Sequence, residues 1–202
     1  TAIPEDMMAK AALKHLSYAT LLEALAERFH ASPNLLKRLN PSARFVAGEA
    51  IQVPNVLAAP EPTSGEGVSI AVSKRTSALT LIDRTGAVIY HVPVTTGSRH
   101  DPLPIGEWKV TAIVRNPVFN YNPDLFWDAD PAHAKAKLPP GPNGPVGVVW
   151  IDLSKPHYGL HGTPEPAAVG HTSSHGCVRL TNWDATAVAA LIAKGAKVTF
   201  TE

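Results

Sequence analysis

Reactive side chains are concentrated in one stretch in the last quarter of the chain. Within 17 positions lie three of the nine histidines and the only cysteine: His161, His171, His175 and Cys177. If residues 174–180 are extended, the two-residue period of a strand places His175, Cys177 and Arg179 on one face and small or apolar residues on the other. One face would then carry the chemistry while the other packs.

A cysteine acts as a nucleophile through its thiolate. Because an ordinary thiol has a pKa of about 8.5, a catalytic cysteine needs an imidazole or a cation nearby to raise its thiolate fraction at neutral pH. His161, His175 and Arg179 are the candidates for that neighbour. A histidine base also needs a group that holds its ring, and the carbonyl of Gly162 can do this without any Asp.

Glycine next to the cysteine favours acyl transfer. Backbone N–H groups near Gly176 and Cys177 could stabilise the oxyanion of a tetrahedral intermediate, because glycine lets a substrate approach the main chain closely. The alternative is that Cys177 is inert, since a free cysteine in a soluble protein is more often a small buried apolar residue than a nucleophile.

Two other kinds of site compete for the same residues. The three histidines and the cysteine could supply zinc ligands, but their spacing matches neither a paired CxxC nor a helical HExxH. The nearest carboxylates, Glu165 and Asp184, lie in no known ligand spacing. The sequence therefore predicts no metal and no cofactor. A papain-like protease is also disfavoured, because its cysteine precedes its histidine and here His161 comes first.

The sequence around the cluster resembles the signature of the L,D-transpeptidase catalytic domain, the YkuD-type family. The signature consists of His161-Gly162-Thr163, a 16-residue step from His161 to Cys177, and Ser174-His175-Gly176-Cys177-Val178-Arg179-Leu180. Three loops in the same order support the resemblance: Thr96-Gly97-Ser98, Leu103-Pro104-Ile105-Gly106-Glu107-Trp108 and residues 139–147. It covers residues 68–202.

The resemblance implies a mostly β domain, a β-sandwich with a short helix, whose cysteine attacks peptide stems of the bacterial cell wall. Carried over residue by residue, the catalytic residues are Cys177 as nucleophile, His161 as base, Gly162 as the backbone group that orients the base, and His175 and Gly176 in the pocket.

The substrate-binding residues that the resemblance implies are Arg179, Ser174 and Thr163. Arginine suits a substrate carboxylate because its planar guanidinium can bind both oxygens. The implied reaction is attack on the amide between the L-centre and D-Ala of a tetrapeptide stem. A thioester acyl-enzyme forms and is transferred to an amine, which gives a 3-3 cross-link, attachment to a protein lysine, or exchange with a D-amino acid.

Two alternatives share this fold: an L,D-carboxypeptidase that transfers the acyl group to water, and a catalytically silent protein that binds peptidoglycan. For an active enzyme we expect a carbapenem to acylate Cys177. The chain begins at Thr1, and we expect an exported protein of the periplasm or cell wall from which a signal peptide has been removed, with a role in cell-wall biogenesis and cell shape.

The first part of the chain is predicted to be helical. Helices are expected over residues 4–16 and 21–29 and from Ser32 to Leu39, followed by a short strand at 50–53. Residues 18–54 resemble a LysM-type module that binds glycan, through residues 21–29, 35–40 and 48–54. A helical cap or docking domain is the alternative for this part.

The change in pattern along the chain predicts an α+β protein with two domains. Residues 1–57 form the LysM-like helical domain, 58–66 a Pro- and Gly-rich linker, and 67–202 the catalytic domain. Alternating apolar residues predict strands at 68–72, 78–82, 88–94, 108–114, 146–153 and 197–201, and a helix at about 182–193. Prolines predict an irregular excursion rather than sheet at 116–145, which suits a lid over the site.

Composition excludes several classes of partner. The 202 residues carry 18 Lys and Arg and 17 Asp and Glu, for a net charge of +1, so neither nucleic acid nor an anionic membrane surface is favoured. No apolar run approaches the roughly 18 residues of a membrane span. We expect a monomer whose partners are peptidoglycan stem peptides and glycan, with a lysine-bearing protein as one candidate acceptor.

Overall fold

The computed structural model describes residues 2–56, 60 and 62–202. The predicted linker 58–66 lies partly outside these residues, at 58, 59 and 61, and the domain boundary there stays a prediction. The helices of the described residues are α1 Met7–Ala11, α2 Leu21–Arg28, α3 Pro33–Leu39 and α4 Asn182–Leu191, with 3-10 turns at Pro123–Leu125 and Pro166–Ala168. None of these helices is long and apolar enough to cross a membrane.

The strands in the described residues are β1 Ser69–Ser73, β2 Ala78–Ile82, β3 Val88–Pro93, β4 Gly106–Arg115, β5 Phe119–Tyr121, β6 Ala136–Leu138, β7 Val149–Leu153, β8 Gly159–His161, β9 Val178–Arg179 and β10 Lys197–Thr201. The strands expected from alternation are therefore confirmed, and the mostly β character of this part with them. The first residues of the run predicted at 146–153 are turn rather than strand.

Helix boundaries follow the side chains that cap them. The hydroxyls of Thr20 and Ser32 accept hydrogen bonds at 3.1 Å from the backbone N–H three residues on, at the start of α2 and of α3, and Thr181 does the same for α4. Such caps satisfy donors that have no partner inside the helix. The second, third and fourth predicted helices are confirmed, whereas the first ends at Ala11 instead of continuing to residue 16.

One continuous sheet of eight strands curls to form the β domain, in the order β3-β2-β1-β10-β4-β7-β8-β9. The corner lies in β4: its first half pairs with β10 and its second half with β7, and the register shifts between Val110 and Ala112. An irregularity of this kind bends a strand. The layers expected of a β-sandwich are thus the two halves of a single sheet.

The two edges of this sheet meet. Just after β3, Thr95 exchanges two backbone hydrogen bonds of 2.9 Å with Arg179 of β9. One residue on, the Ser174 N–H donates to the Thr96 carbonyl at 3.0 Å. Together these bonds close the curl on the side where the predicted site residues lie.

Apolar side chains from both halves of the sheet and from α4 form one buried cluster. Its largest fully buried members include Phe200, Ile70, Leu81, Ile151 and Leu180. Each such side chain stabilises the fold by roughly 1.5–3 kcal/mol relative to an exposed one. The strands on either side of the closed edge are therefore held by the same core.

Residues 3–16, which we call the N-terminal arm, pack away from α2 and α3. Leu16 of the arm is fully buried with Tyr121 and Leu138. Helices α2 and α3 instead share a separate small cluster around Leu36. Backbone bonds also fix Leu16, whose N–H donates to the Pro140 carbonyl and whose carbonyl accepts from the Asn143 N–H, at 3.0 and 2.9 Å. The arm therefore supports residues that are remote in the sequence.

Those remote residues belong to the segment 116–145, which we call the lid. The prediction that it contains no sheet was wrong, because β5 and β6 pair within it in an antiparallel hairpin. The hairpin buries Tyr121 and Leu138 against the arm. Prolines occupy the turns and the segment after β6, where no ladder hydrogen bond is lost.

The predicted strand at 50–53 is also absent, although residues 2–56 are all described. The Asn40 side chain replaces a neighbouring strand: its amide donates to the Gln52 carbonyl at 2.8 Å and its oxygen accepts from the Gln52 N–H at 2.6 Å. The backbone of this segment is thereby paired without a ladder. The helices of the LysM-like prediction are present, and glycan binding by this part stays a prediction.

Gly141 tests the contact between arm and lid. Its φ is +149°, and an added Cβ would overlap the carbonyl of Leu16, which backbone bonds hold in place. We expect Gly141→Ala to lower the free energy of unfolding by about 2–4 kcal/mol, through steric overlap and backbone strain. Urea unfolding measures the loss. Gly86→Ala is the control, since φ is +88° but no heavy atom lies within 4 Å of its added Cβ. Equal losses in the two variants would contradict this packing.

Candidate active site

The face of the sheet at the closed edge carries the predicted catalytic side chains. His161, the last residue of β8, stands in register with Trp150 of β7 on one side and with Arg179 of β9 on the other. Residues in register point to the same side of a sheet. His161 and Arg179 are therefore neighbours on one face, and the rings of Trp150 and His161 stack with centroids 5.5 Å apart.

Cys177 lies two residues before Arg179 and on the same face. The expected alternation is confirmed: Ser174, Gly176, Val178 and Leu180 are buried, and the residues between them are half-buried. From the spacing of neighbouring strands and the rise per residue, Cys177 and His161 are diagonal neighbours with about 8 Å between their Cα atoms. Side chains of this length can meet across that separation.

The ring of His161 is held by its own chain. The side chain is buried, with 5% exposed, and Nδ1 lies 2.6 Å from the carbonyl oxygen of Gly162. Because a carbonyl only accepts, Nδ1 must carry the proton and donate it. Neutral His161 therefore has its lone pair on Nε2, the nitrogen that a base uses.

His161 is neutral at physiological pH. Burial lowers its pKa to about 4, partly opposed by the hydrogen bond to the Gly162 carbonyl and reinforced by the charge of Arg179. The imidazolium would lack solvation here and would face a cation. The site thus holds a base that is ready to accept a proton over the whole neutral range.

Cys177 is a neutral thiol in the same range. Burial raises its pKa to about 11, although an N–H of Gly159 and the charge of Arg179 favour the thiolate. The thiol donates weakly to the His157 carbonyl at 3.7 Å. Thiol and imidazole therefore rest as an uncharged pair, and the proton has to move as the sulfur reacts.

A cavity of about 880 Å³ opens onto this pair. Five predicted site residues line it: His161, Ser174, His175, Cys177 and Arg179. The opposite wall comes from the lid, including Phe119, Tyr121 and Phe126, and from Met7 of the N-terminal arm. The volume is in the range of ligand pockets, and residues of the lid line the cavity.

His175 links the catalytic loop to the lid. Its Nε2 lies 2.8 Å from Oδ1 of Asp128, and its ring meets Phe126 edge-on with centroids 5.2 Å apart. The neighbouring lid residue Trp127 stacks on His100 at 4.5 Å. These contacts connect the tip of the lid to His175 and to His100.

Three predicted residues have local roles in the structure. The hydroxyl of Ser174 donates to the carbonyl of Cys177 at 2.5 Å, which fixes the turn before the cysteine. Gly176 has a φ of +99°, and an added Cβ would touch the Tyr158 ring, so only glycine fits there. Thr163 does not line the cavity; its hydroxyl accepts from the Glu165 N–H at 3.2 Å. Substrate binding by Ser174 and Thr163 stays a prediction.

The described residues offer no set of ligands for the zinc site that was considered as an alternative. Across the residues that the structure describes, no three His, Cys, Asp or Glu side chains are grouped to hold a metal ion. His171 is exposed and does not line the cavity.

Two residues that bear on the site were missed by sequence reasoning. Trp150 stacks on His161, and the alternation of β7 could have placed it on that face. Asn182 accepts from the Val148 N–H at 3.1 Å and lies directly against Gly162, where an added Cβ would overlap its side-chain oxygen. Only its position as the first residue of α4 was visible in the sequence.

Comparison with known proteins shows the family to which the chain belongs. A family model described as YkuD, the L,D-transpeptidase catalytic domain, matches residues 67–200. The chain is 30% identical over 181 residues to the YkuD protein of Bacillus subtilis (strain 168). That protein is named as a candidate L,D-transpeptidase. The match covers 88% of this chain and 92% of that protein.

Solved structures share the fold at lower identity. An L,D-transpeptidase from Mycobacterium smegmatis superimposes with a TM-score of 0.54 at 18% identity, over 67% of this chain and 59% of that one. L,D-transpeptidase 3 from Mycobacterium tuberculosis, in complex with a faropenem-derived adduct, gives 0.54 at 19% identity, over 67% and 60%. The match therefore spans about 60% of the length of these structures.

The neutral state of Cys177 predicts how it reacts with a simple alkylating agent. Because the pKa of the thiol is raised to about 11, the thiolate fraction at neutral pH is small and grows with pH. We expect the rate of alkylation by iodoacetamide to be still rising at pH 10, followed by intact mass. In the urea-unfolded chain the rate should level off near the ordinary thiol pKa of about 8.5. A plateau below pH 8 in the folded protein would instead indicate a preformed thiolate–imidazolium pair.

Proposed function

The chain belongs to the YkuD family of L,D-transpeptidase catalytic domains, and we propose that it is a peptidoglycan L,D-transpeptidase with Cys177 as its nucleophile. The observation that carries the proposal is the orientation of His161. Its Nδ1 proton is committed to the Gly162 carbonyl, which leaves Nε2 as a base in the cavity that also holds Cys177.

In the proposed first half-reaction, Nε2 of His161 takes the thiol proton while the Cys177 sulfur bonds to the carbonyl carbon of the amide between the L-centre and D-Ala. Proton transfer during attack suits two groups that are both neutral at rest. Backbone N–H groups at Gly176 and Cys177 stabilise the oxyanion. The C–N bond then breaks, the proton passes from His161 to the leaving amine, and D-Ala departs from a thioester.

In the proposed second half-reaction, an amine attacks the thioester carbonyl. His161 takes a proton from the attacking nitrogen and returns it to the departing sulfur, so the thiol is restored and a new amide forms. Arg179 lies on the same sheet face beside the nucleophile, where its cation suits a substrate carboxylate.

The lid supports transfer to an amine rather than to water. Its aromatic residues cover the cavity, and its tip is held by His175 and His100. A covered thioester meets less water, which favours an acceptor that binds in the cavity. The experiments below also distinguish this activity from the two alternatives, an L,D-carboxypeptidase and a catalytically silent protein that binds peptidoglycan.

Location and further partners belong to the same proposal. A peptidoglycan substrate places the enzyme outside the cytoplasm, in the periplasm or cell wall, acting as a monomer. Glycan binding by residues 18–54 would bring the site to its polymer. Incubation with a defined tetrapeptide and, in turn, a second stem, a D-amino acid, a lysine-bearing protein and water identifies the acceptor from the separated products.

Covalent labelling tests the nucleophile. A solved structure with the same fold carries a faropenem-derived adduct, and a carbapenem presents a strained amide to an attacking thiolate. We expect imipenem to add its mass once to the wild-type chain and not to Cys177→Ala. Intact-mass spectrometry decides between these outcomes. An unlabelled wild-type protein, or the same adduct on the variant, would refute the assignment of Cys177.

Paired histidine variants test the base. General-base catalysis contributes about 10²–10⁴-fold, so His161→Ala should lose turnover of a tetrapeptide donor by about that factor. His171→Ala changes an exposed histidine outside the cavity and should stay close to wild type. Release of D-Ala measures both rates, and circular dichroism checks that each variant is folded. Equal losses would mean that the base is misassigned.

A further inference from the structure

We propose that Glu27, in helix α2 of the N-terminal part, is a positioning residue for His161 and acts through Asn182 and Gly162. The inference rests on the proposed function for the role of His161. It assigns to the part outside the YkuD match a contribution to the geometry of the base.

Glu27 is a buried carboxylate that the reaction does not use. Only 8% of the residue is exposed, and its oxygens accept from the Asn182 amide at 3.0 and 3.1 Å and from the Tyr18 hydroxyl at 3.2 Å. Burial raises the pKa of Glu27, and these hydrogen bonds oppose the rise. A carboxylate is costly to bury unless it is hydrogen-bonded, so the pairing with Asn182 fixes both side chains.

Asn182 transmits that restraint to the neighbouring strand. Its amide nitrogen faces Glu27, while its oxygen accepts from the Val148 N–H at 3.1 Å. An added Cβ on Gly162 or on Gly147 would overlap this oxygen. The Asn182 amide therefore fills the space beside Gly162 and limits where the Gly162 peptide can lie.

The Gly162 peptide in turn sets the base. Its carbonyl oxygen is the acceptor for Nδ1 of His161 at 2.6 Å, so a shift of this peptide changes the tautomer and direction of the imidazole. Four residues are thus connected by contacts in the order Glu27, Asn182, Gly162 and His161. Each contact is a hydrogen bond or a close packing contact, and both residues in it are buried.

Another contact of the same helix does not join this series. Glu23 of α2 accepts from the Asn143 amide at 2.7 Å, at the end of the lid. Asn182 donates to the carbonyl of the preceding residue, Pro142, at 3.2 Å, but makes no hydrogen bond to Glu23. Glu23→Ala removes this hydrogen bond between α2 and the catalytic domain, together with the bond from the Ala19 N–H, and leaves the hydrogen bonds of Asn182 in place. It is therefore the matched control for a purely structural effect of docking.

The experiment compares Glu27→Ala, Glu27→Asp and Glu27→Gln with Glu23→Ala in the full chain. Small misplacements of catalytic groups cost up to about 10²-fold, and we expect Glu27→Ala and Glu27→Asp to lower the limiting rate of Cys177 acylation by imipenem about tenfold or more. Aspartate keeps the charge but is too short to reach Asn182, and it serves if the alanine variant does not fold. Glutamine keeps an oxygen acceptor and should restore most of the rate.

The pH profile separates positioning from loss of folded protein. Since the bond to the Gly162 carbonyl raises the pKa of His161, weakening that bond should move the acid limb of the acylation profile to lower pH in Glu27→Ala. The other titratable groups that line this cavity are not substituted in the variant; they include Cys177, Arg179, Asp101, Asp128, Asp152, His157 and His175. A smaller folded fraction would scale the profile without moving it. An unshifted profile in Glu27→Ala, or equal losses in Glu23→Ala, would overturn the proposal.

Nitrogen-15 NMR of the histidines in the protein alone keeps this test independent of the reaction. A reduced Nδ1–H population for His161 in Glu27→Ala supports the inference even if imipenem does not label wild type, in which case the proposed function fails by itself. An unchanged His161 spectrum overturns the inference even if labelling succeeds.

Discussion

The pair of backbone hydrogen bonds between Thr95 and Arg179 is the contact on which the site depends. These bonds join the residues just after β3 to β9, and β3 and β9 are the two edge strands of the eight-stranded sheet. Neither edge near the site therefore stays open to another chain. The same bonds also hold the outer edge of β9, the strand that follows Cys177, while its inner edge pairs with β8, the strand that ends in His161. Nucleophile and base, 16 residues apart in the sequence, become neighbours because β8 and β9 pair in parallel.

Burial of His161 and Cys177 sets the electrostatics of the site. The same loss of solvent that lowers the pKa of His161 raises that of Cys177, so both groups rest uncharged. A thiolate–imidazolium pair would have to be stabilised in a space with little water, close to the cation of Arg179. In an uncharged pair the separation of charge waits for a substrate, which limits reaction of the thiol with other electrophiles.

Local pattern predicted what depends on local forces. Apolar periodicity predicted α2, the N-cap Ser32 predicted the start of α3, and the alternation across residues 174–180 placed Cys177 and Arg179 on one face. The misses involve contacts made outside the element itself, by single side chains or by distant segments. Leu16 is buried by residues more than 100 positions away, and the segment around Gln52 is paired by a single asparagine side chain. Neither contact leaves a periodic signal.

The packing of the N-terminal arm on the lid changes what counts as the catalytic unit. Met7 lines the cavity and Leu16 is buried with the lid hairpin, although both lie outside the match to the model of the catalytic domain, which begins at residue 67. A fragment cut at that limit would keep every residue of the signature and expose the apolar face of the hairpin to solvent. The boundary of the family model and the boundary drawn by physical cohesion therefore fall at different places in this chain.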